Sequence, residues 1–95
     1  MLISAMTVTV VLPLAHSLKD KRMTAKSLIA RVQNRFKVSA AEVEAQDEWR
    51  TLVLGLAVVA NERRHGEQVL EEALQFIEAE LAGTGEVTGV LREQR

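Results

Sequence analysis

The chain has 95 residues, with 12 Lys and Arg against 13 Asp and Glu, 47% hydrophobic residues and no cysteine. That length supports one hydrophobic core and a single domain over residues 1–95. The composition excludes wholesale disorder, collagen-like repeats, disulfides, thiolate chemistry and zinc–thiolate sites. The formal net charge of −1 hides an asymmetry: residues 1–37 carry seven basic groups against Asp20 alone, and the acidic balance lies in residues 38–95. Clustered charge acts locally whatever the total, so the basic segment reads as an interaction surface or as a solvated helix face.

No charge precedes Lys19. A secretory leader wants a basic start and an unbroken apolar block, and Ser4, Thr7, Thr9 and Pro13 interrupt this one. The segment fits a strand better, and a cytoplasmic protein is expected. Leu2–Leu12 is rich in β-branched residues and stops at Pro13, which predicts the first strand. Its bulkier side chains (Met6, Val8, Val10, Leu12) share one parity, and Ala5, Thr7, Thr9 and Val11 share the other.

Ser17-Leu18-Lys19-Asp20 has the form of a capping box. Ala25, Leu28, Ile29, Val32 and Phe36 then recur at helical spacing, so the first helix runs to about Phe36. Lys19, Arg22 and Lys26 give that helix a basic stripe. Lys37–Ala45 is a weaker strand whose Glu42 and Glu44 suit a sheet edge. Thr51–Ala60 holds no polar residue from Leu52 onward, so it should be buried on both faces and lie centrally. Asn61 is the expected N-cap of a second helix, whose buried stripe includes Val69, Leu70, Ala73, Phe76, Ile77 and Leu81. Gly83 suits a left-handed cap, Glu86–Leu91 a short last strand, and the tail to Arg95 should fray.

The order βαββαβ predicts an α+β, ferredoxin-like domain: a four-stranded antiparallel sheet in the order 4-1-3-2, with two helices on one face. The other face would carry Thr7 and Thr9 from the first strand and Val53, Gly55, Ala57 and Val59 from the third. These small, flat residues predict a homodimer through that face, against the alternative of a monomer with a moderately apolar open sheet.

Little in the chain suggests catalysis. The topology sends His16 and His65 to opposite ends, no serine has a base and an orienter, and no glycine-rich loop could cradle a phosphate. No enzyme, metal or cofactor is expected. Two binding surfaces remain. Lys19, Lys21, Arg22, Lys26, Arg31 and Arg35 are candidate contacts to an anion or an RNA backbone. Ser17, Gln46, Asp47 and Trp49 meet at one end as a candidate loop site for an anionic ligand. The competing explanation of that loop is structural, with Ser17 as a cap, Asp47 paired and Trp49 anchored by burying its ring. An RNA-recognition sheet needs aromatic residues on its central strands, and these strands have none. RNA would have to be held by the first helix and its flanking loops. The third possibility is a purely structural protein-interaction unit.

Ser17-Leu18-Lys19, Lys21-Arg22, Asn34-Arg35-Phe36, Val38-Ser39, Ala41-Glu42-Val43, Gln46-Asp47, Trp49, Leu54-Gly55 and Asn61 together resemble the signature of the small bacterial YlxP-like proteins, a domain of unknown function. The resemblance implies a ferredoxin-like cytoplasmic protein with no catalytic residues to carry over. It also implies a gene neighbourhood of translation-initiation and ribosome-maturation factors, which favours an RNA- or ribosome-associated role.

Overall fold

Leu52, Leu54 and Leu56 meet Val10, Val8 and Met6 across the middle of a four-stranded sheet, and all six side chains are buried. In the computed structural model, which describes residues 1–95, the elements are β1 (Leu2–Val11), α1 (Leu18–Phe36), β2 (Ser39–Glu44), β3 (Thr51–Ala60), α2 (Arg63–Glu80) and β4 (Glu86–Gln94). The strands lie in the order β2-β3-β1-β4, all antiparallel, which is the predicted order read from the other edge. β3 is central, as its composition requires, and it pairs residue for residue with β1 from Leu2↔Ala60 to Val11↔Thr51.

Both helices cover the face that carries Met6, Val8 and Val10. Leu28 and Val32 of α1 and Leu70, Ala73 and Ile77 of α2 complete one core there. Phe36 and Phe76 close the contact between the helices edge-on, with ring centroids 5.5 Å apart. The first turn of α2 approaches the sheet so closely that a Cβ on Gly66 would stand 2.4 Å from Ser4 Oγ, so this position has no room for a side chain.

Four boundaries differ from the sequence reading. β1 ends at Val11 and β2 is narrower than Lys37–Ala45, because Lys37 takes a left-handed conformation (φ 56°) to cap α1 through Gln33 O. The N-cap of α2 is Glu62 rather than Asn61, with no side-chain cap bond, so the helix starts one residue later than expected. The tail does not fray. β4 continues to Gln94, and Arg95 exchanges both backbone hydrogen bonds with Ile3 at 2.9 and 2.7 Å. β3 is also not buried on both faces within one chain, since Val59 is 61% exposed on the side without helices.

Candidate nucleic-acid interface and the loop beside it

At 3.6 residues per turn, the cations of α1 do not share one face. Lys19, Arg22 and Lys26 are exposed along the flank of α1 toward β2, and none of them is in an ion pair. Arg31 and Arg35 lie on the flank toward α2. There Arg31 pairs with Glu80, and the Arg35 guanidinium sits 5.3 Å from the Phe76 ring centroid and 5.8 Å from that of Phe36. Their charge is already engaged within the chain, so the six-residue basic face divides and only three members are free.

Lys21 requires a correction, because it is not a surface contact at all. Its side chain is 0% exposed, and Nζ donates to three backbone oxygens: Ala45 O at 2.6 Å, Gln46 O at 3.2 Å and Thr51 O at 3.2 Å. Those bonds use all three ammonium protons. The carboxylate of Glu42 adds its opposite charge at 2.9 Å, which is why its Oε2 has an ionic partner but no hydrogen bond. The sequence carried the signal. Lys21 heads the stripe that continues through Ala25, Leu28 and Val32, and Glu42 lies on the core-facing parity of β2 with Ala40. A charge in the apolar stripe of a helix and an opposite charge on the facing parity of a strand mark a buried pair.

This clamp, and not Trp49, anchors the connection between β2 and β3. Trp49 is 46% exposed, with the Arg50 guanidinium 5.9 Å from its ring centroid, so the expectation of a buried indole is overturned. Arg50 Nε in turn donates to Ala15 O, tying this loop to the one that precedes α1. Ala45 takes a left-handed backbone (φ 55°), a conformation that costs an L-residue about 1–2 kcal/mol.

The family model for proteins of unknown function, DUF503, matches residues 3–89. The chain belongs to this family. Over 65 residues it is 42% identical to the uncharacterised protein YlxP of Bacillus subtilis (strain 168), an alignment covering 68% of this chain and 71% of that one. In backbone, the DUF503 chain is similar to a de novo designed protein with a ferredoxin fold solved by solution NMR, with a TM-score of 0.65 and 19% identity. That match covers 100% of this chain and 86% of the other, and it bears on the fold alone.

The remaining candidates on this DUF503 chain are placed as follows. Ser17 is the N-cap of α1: its Oγ accepts from Asp20 N at 3.1 Å, and Asp20 Oδ2 accepts from His16 N at 2.9 Å. The expected capping box is therefore present, with its return bond one residue upstream of the usual place. Gln46 donates to Glu42 O at 3.4 Å, whereas Asp47 is exposed and makes no hydrogen bond or ion pair. Two of the four loop candidates are thus occupied in holding the chain's own backbone. His16 follows the end of β1 that pairs with Thr51, and His65 follows the end of β3 that pairs with Leu2, so the histidines stand at opposite ends of the sheet.

On the open face Thr7, Thr9, Gly55 and Ala57 are half-buried and Val59 is exposed. Val53 departs from expectation: it lies between Thr9 and the bulged Glu44 in the register and is only 5% exposed in the single chain. Gly55 also has a local explanation, since Val43 leans across it and a Cβ there would stand 2.8 Å from Val43 Cγ1.

Proposed function

We propose that this protein is a non-catalytic, dimeric accessory factor that associates with structured RNA, of the kind found in ribosomal particles, through Lys19, Arg22 and Lys26. The supporting observation is the separation of its charges. Arg31, Arg92 and Arg95 are matched by carboxylates and Lys21 is sealed; Lys37, Arg63 and Arg64 are also exposed and unpaired, but Lys19, Arg22 and Lys26 gather on one helix flank. They span about 10 Å along the helix axis, a reach suited to successive phosphates of a backbone. The central strands hold no aromatic residue, so the reading is one of backbone charge and RNA shape, without base stacking. A cytoplasmic location belongs to the same proposal, and no helix is long and apolar enough to cross a membrane.

The dimer belongs to the proposal too, through the face without helices. Strands of this length and number present roughly 500 Å² of face per copy, and two copies would bury about 1,000 Å². That reaches the roughly 1,000 Å² minimum of a biological interface and stays below the ~1,200 Å² at which stable ones begin. An anionic small ligand at the loop finds less support, because Ser17 and Gln46 are already bonded internally.

The test is binding to a ribosomal RNA fragment across a salt series. The affinity of the unmodified protein should fall steeply with salt, and Arg22→Glu with Lys26→Glu should abolish measurable binding. Replacing the same two residues by Ala should lower the log–log salt slope by about 2. An association indifferent to salt, or one that survives the double reversal, overturns the reading.

A further inference from the structure

The two edges of the sheet are built differently. Along β2, Ala40 and Glu42 point their backbone groups away from β3. Gln33 Oε1 accepts from Ala40 N at 3.2 Å, and Gln46 Nε2 donates to Glu42 O at 3.4 Å. A bulge between Glu42 and Glu44 and the two carboxylates complete the protection. β4 has a bulge of its own at Thr88, but no side chain closes its outward backbone groups. The mutual bonds of Arg95 with Ile3 fix the alternation of the ladder, so Val90, Arg92 and Gln94 turn their N–H and C=O groups outward. The side chains of Arg92 and Gln94 bond to Glu71 and Ser4, and none of the chain's side-chain hydrogen bonds reaches those outward groups. Val87–Leu91 carries no charge, and Leu91 is 58% exposed.

We propose that the free edge of β4 pairs with the β4 of a second copy, antiparallel about a two-fold axis at Leu91. Only the regular stretch beyond the bulge opposite Thr9 and Val10 is then used. Leu91 faces Leu91 of the other copy, Val90 faces Arg92, and Gly89 faces Glu93. Val90 and Arg92 are both residues with outward groups, so each such pair closes two backbone hydrogen bonds, four in all. No like charges stand directly opposite one another across the ladder; the two Arg92 side chains are diagonal neighbours, and each is already paired with Glu71 of its own chain. Because β2 is closed and β4 pairs with itself, growth stops at two chains along this direction. The edge lies at right angles to the open face, so the two contacts do not compete, and using both would assemble four chains.

The absence of native cysteine makes the test direct. In this register position 91 meets its own copy at a non-hydrogen-bonded pair, where the Cα separation suits a disulfide, whereas the two copies of position 93 stand about 13 Å apart. Leu91→Cys should form a disulfide-linked dimer about tenfold or more faster than Glu93→Cys under mild oxidation. Adding Ala57→Glu, which burdens the open face alone, should leave that rate unchanged. Val90→Pro removes an N–H that points away from β1, so it should lower the association seen by sedimentation while the far-UV spectrum stays the same. Equal rates at 91 and 93 would overturn the proposal. So would loss of cross-linking with Ala57→Glu, which would move the contact to the open face. None of these measurements involves RNA, so they stand or fall apart from the binding experiment.

Discussion

An ammonium group moved out of water loses several kcal/mol of solvation unless each of its protons finds an acceptor. Lys21 meets that condition with Ala45, Gln46 and Thr51, and Glu42 supplies the countercharge. Breaking such a group on one side is costly, because the partners stay buried. Lys21→Met keeps the aliphatic stem and removes the charge, and it should lower unfolding free energy in urea by about 3 kcal/mol. Arg22→Met, one residue along and exposed, should change stability by no more than about 0.5 kcal/mol. Pairing Lys21→Met with Glu42→Leu should restore part of the loss, since an apolar pair of similar volume leaves no charge stranded.

At the scale of elements, α2 is fixed to the sheet at two points. The Gly66–Ser4 approach holds its start, and farther along Arg92 of β4 donates to Glu71 at 2.6 and 2.9 Å. Those hydrogen bonds hold the Glu71 carboxyl below its usual pKa, outweighing desolvation, and the nearby guanidinium charge adds a lesser contribution in the same direction. A folded-state pKa below the unfolded one gives stability that is present above the unfolded value and lost as pH falls through the folded one. Both groups are largely exposed, so the effect on stability is small, and the clearer readout is the carboxyl itself. In Arg92→Gln the Glu71 midpoint followed by NMR should rise to the ordinary carboxylate range. The pH dependence below about 4.5 that this contact contributes should disappear with it.

The elements themselves were legible because each has a periodic signal: alternation in Met6–Leu12, an apolar run in Leu52–Ala60, and a helical stripe from Ala25 to Phe36. What escaped depends on partners distant in sequence. The inward position of Lys21 was signalled by its helical stripe, but its acceptors lie 24 to 30 positions away, and the ordered tail requires Ile3. No local pattern in Glu93-Gln94-Arg95 announces that pairing. The candidate basic face was legible as composition but not as geometry, because Glu80, Phe76 and the β2–β3 loop decide which of its cations remain free.

Taken whole, the molecule places two helices on one side of a sheet and leaves Thr7, Thr9, Ala57 and Val59 on the other without a helix above them. If two copies meet there, a charge at its centre should separate them. Ala57→Glu is expected to shift the sedimenting species to half its mass while the circular dichroism of the fold is kept. An unchanged mass would return the face to solvent. In the face-to-face arrangement the helices lie outermost, so the Lys19–Arg22–Lys26 flanks of the two copies look away from each other and would engage separate stretches of RNA.

The grip of Lys21 on the β2–β3 connection falls on main-chain oxygens, which every amino acid supplies alike. Positions 47–49, whose side chains make no hydrogen bond, can therefore change identity through evolution, or be randomised in a library, while the hairpin tip keeps its path. A selection for new ligands at that tip would inherit a rigid platform whose shape does not depend on the letters written across it.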